Sequence, residues 1–213
     1  MKRAVRKFYT LVEIMTVIVI AAILFGIGIP AFTTMIQGSN MTVAIRQLSA
    51  KIAAARAYAV TNRCKVAVLL VRKNVKEEYC LSAYRACILE DSSSNIFQEW
   101  IEDENWKHLP KGVLVLSDST DYPEGKKPDF KDVSVNAEII GGSASTTVSA
   151  FIFQKNGQMD NATSTIWLRQ GRYVNSNPVY TERNNDGKII SHQLEIQKYS
   201  GKVKVKDISE EDS

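Results

Sequence analysis

The stretch "RKFYTLVEIMTVIVIAAILFGIGIPAF" (Arg6–Phe32) decides the fold of this chain. Its only acidic residue, Glu13, precedes a 19-residue run from Ile14 to Phe32 that carries no charge. Wound into a helix at about 1.5 Å per residue, this run is about 28 Å long, which is close to the hydrocarbon thickness of a bilayer. The stretch therefore predicts a membrane-spanning helix over residues 11–32.

Positive charge is concentrated at the N-terminal end of the chain. Through Arg63, eight Lys and Arg residues stand against Glu13 alone, which gives +7, whereas the rest of the chain has 19 basic and 22 acidic residues, which gives −3. Four of the eight lie in a basic leader, residues 1–8, so the positive-inside rule predicts a cytoplasmic N-terminus and export of the remainder. The charge beyond Arg63 excludes a general nucleic-acid binder.

A secretory signal peptide is the alternative interpretation of this N-terminus. The apolar region of such a peptide is about 7–15 residues long and ends at a cleavage site with small residues. Here the apolar run is longer, and Gly26, Gly28 and Pro30 lie inside it with further apolar residues after them. These features favour a retained anchor, and the three weak helix formers predict a bend in the helix.

A second helical pattern follows the apolar run. Apolar residues recur at spacings of three and four, whereas Arg46, Lys51 and Arg56 fall on other sides and are predicted to form a solvated or interfacial face instead of a binding site. No strong helix breaker follows Gly38, so we predict one long helix over residues 9–63 whose second half packs on a globular head. The apolar stripe consists of Ile45, Leu48, Ile52, Ala55 and Ala59.

Short β-rich segments fill residues 64–206, the predicted head. Asn156-Gly157 and Asp186-Gly187 predict tight turns, residues 117–132 predict a loop, and residues 207–213 predict a frayed acidic tail. The predicted fold class is therefore α+β, with a long N-terminal membrane-spanning helix and a mostly antiparallel β-sheet head. The predicted strands have the sequences "CKVAVLLV", "GVLVL", "VSAFIFQ", "STIWLRQ", "KIISHQLEIQK" and "GKVKVK".

The N-terminal stretch also resembles a known protein family. The segment "YTLVEIMTVIVIAAILFGIGIPAF" is similar to the start of mature type IV pilins and type II secretion pseudopilins, which begin with an aromatic residue followed by Thr-Leu. Tyr9, Thr10 and Leu11 match that beginning, and Glu13 and Pro30 match the family's acid and proline in the same register. In the head, "ARAYAVTNRCKVAVLL" and "FIFQKNGQM" resemble the minor pseudopilins of the GspH and FimT group.

The resemblance implies a role for Glu13 and Pro30 in filament assembly. In filaments of this family the acid meets the N-terminal amine of a neighbouring subunit, so that neither buried charge is left alone. The alternative is a hydrated Glu13 near the cytoplasmic interface. The implied partners are the membrane, other pilin or pseudopilin subunits, a secretion or pilus assembly platform and the prepilin peptidase. The implied location is the bacterial inner membrane, with one span and a periplasmic head, or a pseudopilus.

The implied cleavage junction lies between Phe8 and Tyr9, and Thr10 and Leu11 continue the processing segment. The family's peptidase cuts after Gly, and Phe8 occupies that place here. A residue without a side chain lets the backbone approach the peptidase closely, which a bulky aromatic residue resists. We therefore predict slow or absent cleavage.

The remaining residues predict no catalytic or metal site. The sequence has no nucleophile elbow, phosphate-binding glycine loop or paired-carboxylate motif, and His108 and His192 lack the spacing of metal ligands. We predict no enzymatic activity, no metal and no cofactor. In an oxidising compartment, Cys80 and Cys87 could close a small hairpin as a disulfide, with Cys64 a buried thiol; three unpaired buried thiols are the alternative.

Three functional hypotheses follow. The first is a minor pseudopilin, a structural subunit of a periplasmic filament in type II protein secretion. The second is a minor type IV pilin of the FimT kind, involved in pilus assembly or in DNA uptake through a basic C-terminal strand, although acidic residues follow that strand. The third, a membrane-tethered carbohydrate- or peptide-binding domain, is disfavoured by the joint placement of Glu13 and Pro30. The basic strand contains Lys198, Lys202, Lys204 and Lys206.

Overall fold

The computed structural model describes the chain in segments. Of the predicted regions, the leader and Tyr9 lie outside the described residues. The described residues are 10–72, 76–91, 94–102, 104–116, 122, 128, 130–136, 145–161, 165–175, 177–183, 187 and 189–209, with the backbone alone described at 27–37, 136, 145–146 and 207–209.

Helix α1 (Leu11–Asn62) contains 52 residues. It ends in a Schellman arrangement, in which Arg63 has a φ of 51° and the Cys64 amide donates to the Ala59 carbonyl at 3.2 Å. This arrangement usually uses Gly or Asn at the left-handed position. The chain divides into two compact units, of which the first ends at Ser39 and the second begins at Asn40.

Strands follow α1 within the second unit. In the described part of the chain they are β1 (Lys65–Leu70), β2 (Ala83–Leu89), β3 (Phe97–Trp100), β4 (Lys107–His108), β5 (Val113–Val115), β6 (Lys131–Asn136), β7 (Ser145–Phe153), β8 (Thr165–Val174), β9 (Asn177–Tyr180), β10 (Ile190–Ile196) and β11 (Val203–Ser209).

The first sheet has the strand order β3-β2-β1-β7-β6, and all its neighbouring strands are antiparallel. The short strand β4 also pairs with β2. A parallel bridge between Ile96 and Ser134 brings the beginning of β3 next to β6. The two outer strands therefore approach each other, and the sheet curls around one of its faces.

The second sheet has the order β11-β10-β8-β5, again antiparallel, and β9 folds back on β8. Leu81 links the two sheets through its backbone. Its amide donates to the Val71 carbonyl at 3.1 Å, just beyond β1, and its carbonyl accepts from the Val115 amide at 2.8 Å in β5. Leu81 adopts a φ of 55° to do so, which is uncommon for a residue other than Gly.

Two hydrophobic cores result from this arrangement. The main core joins the apolar stripe of α1 to residues of both sheets, including Phe151 of β7 and Leu168 of β8. The second core lies on the other face of the first sheet, where Cys87 and Ile152 are fully buried. The predicted stripe is confirmed, since Leu48, Ile52, Ala55 and Ala59 are buried and Ile45 packs against the core.

The predicted fold class is confirmed in outline, because a long helix precedes a set of antiparallel sheets. The predicted turn at Asn156-Gly157 is also confirmed: Gly157 has a φ of 76°, and its amide donates to the Gln154 carbonyl at 2.7 Å. Gly187 likewise has a positive φ of 79°, whereas Asp186 lies outside the described residues.

Two predicted boundaries need correction. The acidic tail was placed at residues 207–213, but β11 continues to Ser209 because β10 offers backbone partners as far as Ile190. The loop predicted for residues 117–132 overlaps β6, since Lys131 and Asp132 pair with Ala150 and Ser149 of β7. In both places backbone pairing with a distant strand overrides the local polar composition.

Candidate functional site

The start of α1 carries the predicted assembly residue Glu13. The backbone amide of Glu13 donates to the Thr10 hydroxyl at 3.2 Å, and the Ile14 amide donates to the Thr10 carbonyl at 3.2 Å. Thr10 is therefore the N-cap of α1, and "TLVE" has the Thr-x-x-Glu pattern of a capping box. The sequence analysis does not predict this cap, although Thr10 and Glu13 at a spacing of three residues signal it. The Glu13 side chain is exposed.

The first part of α1 exposes an unusual amount of apolar surface. Leu11 is 76% exposed and Phe25 is 66% exposed, and a shallow apolar depression of about 300 Å³ lies among Val12, Met15 and Val19. Large exposed apolar surfaces mark sites of contact with proteins or membranes. The exposed large side chains of this part are Leu11, Val12, Ile14, Met15, Val17, Ile18, Val19, Ile20, Ile23, Leu24 and Phe25.

The other predicted assembly and processing residues are only partly described. The backbone of Pro30 belongs to α1, and its side chain lies outside the description. Phe8 and Tyr9 also lie outside the described residues. None of the helical residues that the structure describes forms a segment with both the length and the hydropathy of a membrane span.

A buried ion pair joins α1 to the head. The Lys51 ammonium, 7% exposed, donates to the Glu104 carboxylate, which also accepts a bond from the Ala86 amide of β2 at 3.3 Å. Burial lowers the pKa of Lys51, and the bond to Glu104 partly opposes that shift. The pair lines a cavity of about 350 Å³ beside Tyr84. Of the two predicted environments, a solvated face is excluded for Lys51, because its ammonium is buried between α1 and the head, where the distant Glu104 carboxylate compensates its charge.

Arg56 makes a second connection between α1 and the head. Its Nε donates to the Gly157 carbonyl at 3.0 Å, and its Nη2 donates to the Tyr199 carbonyl at 3.3 Å. A Cβ on Gly157 would lie 2.7 Å from Val60, and one on Gly201 would lie 2.4 Å from the Arg56 side chain. Arg56 is half-buried at the contact between α1 and the head, so it lies on an interfacial face, one of the two predicted alternatives, and its side chain connects two turns of the head to the helix.

In the structure no disulfide links Cys80 to Cys87, and Cys64 is not bridged to either of them. Residues 83–89 run along β2 instead of reversing, so no hairpin brings Cys80 back to Cys87. Burial raises the pKa of the Cys87 thiol to about 12. Cys64 is half-buried rather than fully buried, and burial raises its pKa as well.

The basic C-terminal strand lies on the surface of the second sheet. Lys202, Lys204 and Lys206 are exposed, and the Lys206 ammonium lies 3.2 Å from the Glu195 carboxylate of β10. Lys198, in the preceding turn, is exposed too. Among the described residues, no group of three or more His, Cys, Asp and Glu side chains is placed to hold a metal ion.

Comparison with known proteins gives one structural neighbour. No family model and no curated protein matches the sequence. The chain is similar to the structure of the minor pseudopilin EpsH from the type 2 secretion system of Vibrio cholerae, with a TM-score of 0.40 and 9% sequence identity. The match covers 78% of this chain and 94% of that one.

Proposed function

We propose that this chain is a minor pseudopilin, a non-catalytic structural subunit of a type II secretion filament. The observation that carries the proposal is the register of Thr10, Leu11, Glu13 and Pro30, which resembles that of the pilin family. These residues lie in the first part of a helix whose first apolar side chains are exposed. In this proposal the first part of α1 anchors the chain in the inner membrane, the N-terminus is cytoplasmic and the head is periplasmic.

Assembly would cover the surface that the single chain leaves open. The exposed side chains from Leu11 to Phe25 would pass from lipid to the helices of neighbouring subunits, so that they stay out of water throughout. The capping bond between Thr10 and Glu13 uses the backbone amide of Glu13 and leaves its carboxylate at the surface. That carboxylate would pair with the terminal amine of a neighbouring subunit, since a charge without a partner in an apolar filament core costs several kcal/mol.

The test is the incorporation of Glu13 variants into sheared filaments, followed by cross-linking. We expect Glu13→Leu to reach the membrane but to lose incorporation, and we expect Glu99→Gln, at an exposed acid of the head, to incorporate like the parent. A Glu13→Leu variant that assembles as well as the parent would contradict the proposed pairing of Glu13 with the amine of a neighbouring subunit.

Processing by the prepilin peptidase is a separate part of the proposal. Because Phe8 resists close approach of the backbone, we expect most molecules to keep the leader and Phe8→Gly to restore cleavage. An uncut molecule would lack a free Tyr9 amine and would remain at the assembly platform, so only the cleaved fraction would enter filaments, and the incorporation test with Glu13 variants measures that fraction. N-terminal sequencing of the membrane-extracted chain decides the matter, and a free or methylated Tyr9 in most molecules would contradict it.

A second candidate function is that of a FimT-like minor pilin in DNA uptake. The exposure of Lys198, Lys202 and Lys204 favours it, because such side chains can approach phosphates. If the head binds DNA, affinity should fall steeply with salt, and the triple change of these lysines to Gln should remove that dependence. If the parent and the triple variant bind DNA equally weakly at low salt, this candidate function is eliminated.

A further inference from the structure

Strand β11 forms an open edge of the second sheet. It lies at the end of the order β11-β10-β8-β5, and none of the strands that the structure describes pairs with its outer side. At the other end of this sheet, the Val115 amide of β5 donates to the Leu81 carbonyl at 2.8 Å. The outer strands of the first sheet meet at the bridge between Ile96 and Ser134. β11 has seven residues, and an open edge of that length is a template for pairing with another chain.

The hydrogen-bond pattern shows which backbone groups of β11 point outward. The Gln197 amide donates to the Lys202 carbonyl at 2.9 Å, which makes these two residues a hydrogen-bonded pair in the register of β10 and β11. Bonded and non-bonded pairs alternate along an antiparallel ladder, so the even-numbered residues of β11 bond to β10. The Ile190 amide fits this alternation, since it donates at 3.3 Å to a carbonyl beyond β9 and not to β11. The amides and carbonyls of Val203 and Val205 therefore point away from β10.

One face of this edge is positively charged. Lys204 and Lys206 of β11 and Lys202 before it occupy alternate positions, so they lie on one face, and all three are exposed. Their neighbours across the ladder are Glu195 and two glutamines, and the Glu195 carboxylate lies 3.2 Å from the Lys206 ammonium. In the described part of this face, three ammonium groups thus stand against one carboxylate. Acidic side chains on an added strand would compensate the excess positive charge.

The other face of the edge is apolar. Val203 packs against the main core, whereas Val205 is 46% exposed. The neighbour of Val205 across the ladder is Leu194, which is fully buried. The apolar surface of the second sheet therefore continues as far as Val205, where an apolar side chain of an added strand would extend it.

We propose that β11 binds an extended segment of a partner protein by antiparallel strand addition, with acidic residues of that segment opposite Lys204 and Lys206 and an apolar residue between them opposite Val205. This addition gives backbone hydrogen bonds to Val205. It also places Lys204 and Lys206 in non-bonded pairs, where the opposed side chains are closest. In this mode of recognition the backbone bonds provide affinity and the alternate side chains provide specificity.

The lysines also select against other occupants of the edge. In an antiparallel pair of two copies of β11 centred on Val205, Lys204 of each copy would stand opposite Lys206 of the other, and like charges directly opposite destabilise a sheet. Nucleic acid would use the ammonium groups but not the outward amides of Val203 and Val205. An acidic strand uses both. Pairing at β11 does not require the filament role proposed for α1.

The probe is the acetylated and amidated peptide Lys-Thr-Val-Glu-Val-Glu-Val-Thr, titrated calorimetrically into the full-length chain in detergent. Its N-terminal Lys offsets the acidic residues 210–212, which follow β11 in the sequence. The matched peptide carries an N-methyl group on the Val between the two Glu, so it keeps every charge but loses the bond to the Val205 carbonyl. We expect the unmethylated peptide to bind about tenfold tighter. Its binding should slow hydrogen exchange at the Val203 and Val205 amides and leave the Lys204 amide, already bonded to β10, unchanged.

Variants of β11 separate the charges from the backbone bonds. Lys204→Gln combined with Lys206→Gln should weaken binding about tenfold and reduce its dependence on salt. Lys76→Gln combined with Lys111→Gln makes the same change of charge at exposed lysines elsewhere and should bind like the parent. Val205→Pro removes an outward amide, which an edge strand tolerates, and should abolish binding, whereas Val205→Thr should keep it.

Equal affinity for the methylated and the unmethylated peptide would overturn the proposal, because charge alone would then hold the peptide. Binding without slower exchange at the Val203 and Val205 amides would overturn it for the same reason. So would a single-stranded DNA octamer that displaces the peptide at equal concentration and salt, since β11 would then be a site for polyanions. The two peptides are compared on the parent chain, so this test holds even if Val205→Pro does not fold.

Discussion

The two parts of α1 belong to one helix but differ in the exposure of their apolar side chains. In the first unit Leu11 is 76% exposed, whereas in the second unit Leu48 is fully buried. The first part is apolar on all sides, and the second confines its apolar residues to one stripe with charged residues beside it. Helix formation and helix burial are therefore separate properties, and the pattern around the helix decides the second one.

The largest effect that would sharpen this contrast is expected at Leu48. Leu48→Ala should lower the free energy of unfolding of the head by about 3–4 kcal/mol, because it removes buried methyl groups and leaves a cavity. Ile18→Ala, at a side chain 61% exposed in the first part, should change it by less than about 0.5 kcal/mol. Denaturation followed by the fluorescence of the three tryptophans, all in the head, measures both. Equal effects of the two changes would break the comparison.

The next effect concerns the ion pair that fixes the second part of α1. Glu104→Ala should cost about 2–3 kcal/mol, since the buried Lys51 ammonium loses its partner. The double change Lys51→Met and Glu104→Leu should recover most of that loss, because no buried charge remains. Chemical denaturation of the three proteins gives the comparison, and a double variant as unstable as Glu104→Ala would show that packing matters more than charge.

Glycine positions at the Arg56 connection should have a smaller effect. Gly201→Ala should destabilise the head by about 1–2 kcal/mol, because the residue has a φ of 63° and its new Cβ would meet Arg56. Gly112→Ala separates the two causes, since Gly112 also has a positive φ, 89°, but has open space around it. If both changes cost the same, backbone strain accounts for the loss and the contact with Arg56 does not.

The pH dependence of stability should reveal the burial of Lys51. The pKa of Lys51 in the folded chain lies below 10.5, the ordinary value that applies to the unfolded chain. At a pH between the folded and the unfolded pKa, the unfolded chain binds more protons than the folded chain. The contribution of Lys51 to stability therefore rises with pH. Unfolding free energies of the parent and of Lys51→Met, compared across the range below pH 10.5, should therefore shift in favour of the parent as the pH rises. Parallel curves would mean that Lys51 is solvated in the folded state.

The smallest effect is expected from Gly38→Ala at the end of the first unit. Gly38 is helical and a Cβ there would meet nothing within 4 Å, so Ala should stabilise the local helix by about 0.8–1 kcal/mol through its higher propensity. Hydrogen exchange of the neighbouring amides should slow, while the denaturation midpoint of the head stays unchanged. A shift of that midpoint would indicate that the two parts of the helix are coupled.

Local patterns predicted much of this fold. The stripe of α1 and the turn at Gly157 follow from residue spacing and from one dipeptide, and the six predicted strand segments correspond to β1, β5, β7, β8, β10 and β11. Strand β2 escaped notice because Arg85 interrupts its apolar residues and because Cys80 and Cys87 suggested a hairpin. Its place in the sheet is set by pairing with β1, which local propensity does not encode.

The contacts around the candidate sites were less accessible to sequence reasoning. Lys51 and Glu104 are 53 residues apart, and nothing at either position signals the other. The rings of Tyr79, Trp100 and Trp106 likewise come together because β3 and β4 both pair with β2, which no local pattern signals. By contrast, the cap at Thr10 is encoded by four consecutive residues, 10–13. What remained hidden depends on long-range pairing, which a single sequence does not display.

The two hydrogen bonds of Arg56 can form only late in the synthesis of the chain. Its acceptors, the carbonyls of Gly157 and Tyr199, are 101 and 143 residues further along. At about 5–20 residues per second, the ribosome needs roughly 7–30 s to reach Tyr199 after it has added Arg56. During that interval the strands that cover the apolar stripe of α1 are added one after another, from β1 at Lys65 to β10, which ends at Ile196. The nascent helix therefore exposes its apolar stripe to other proteins for several seconds. The turn at Tyr199 provides the last of the two carbonyl acceptors of Arg56.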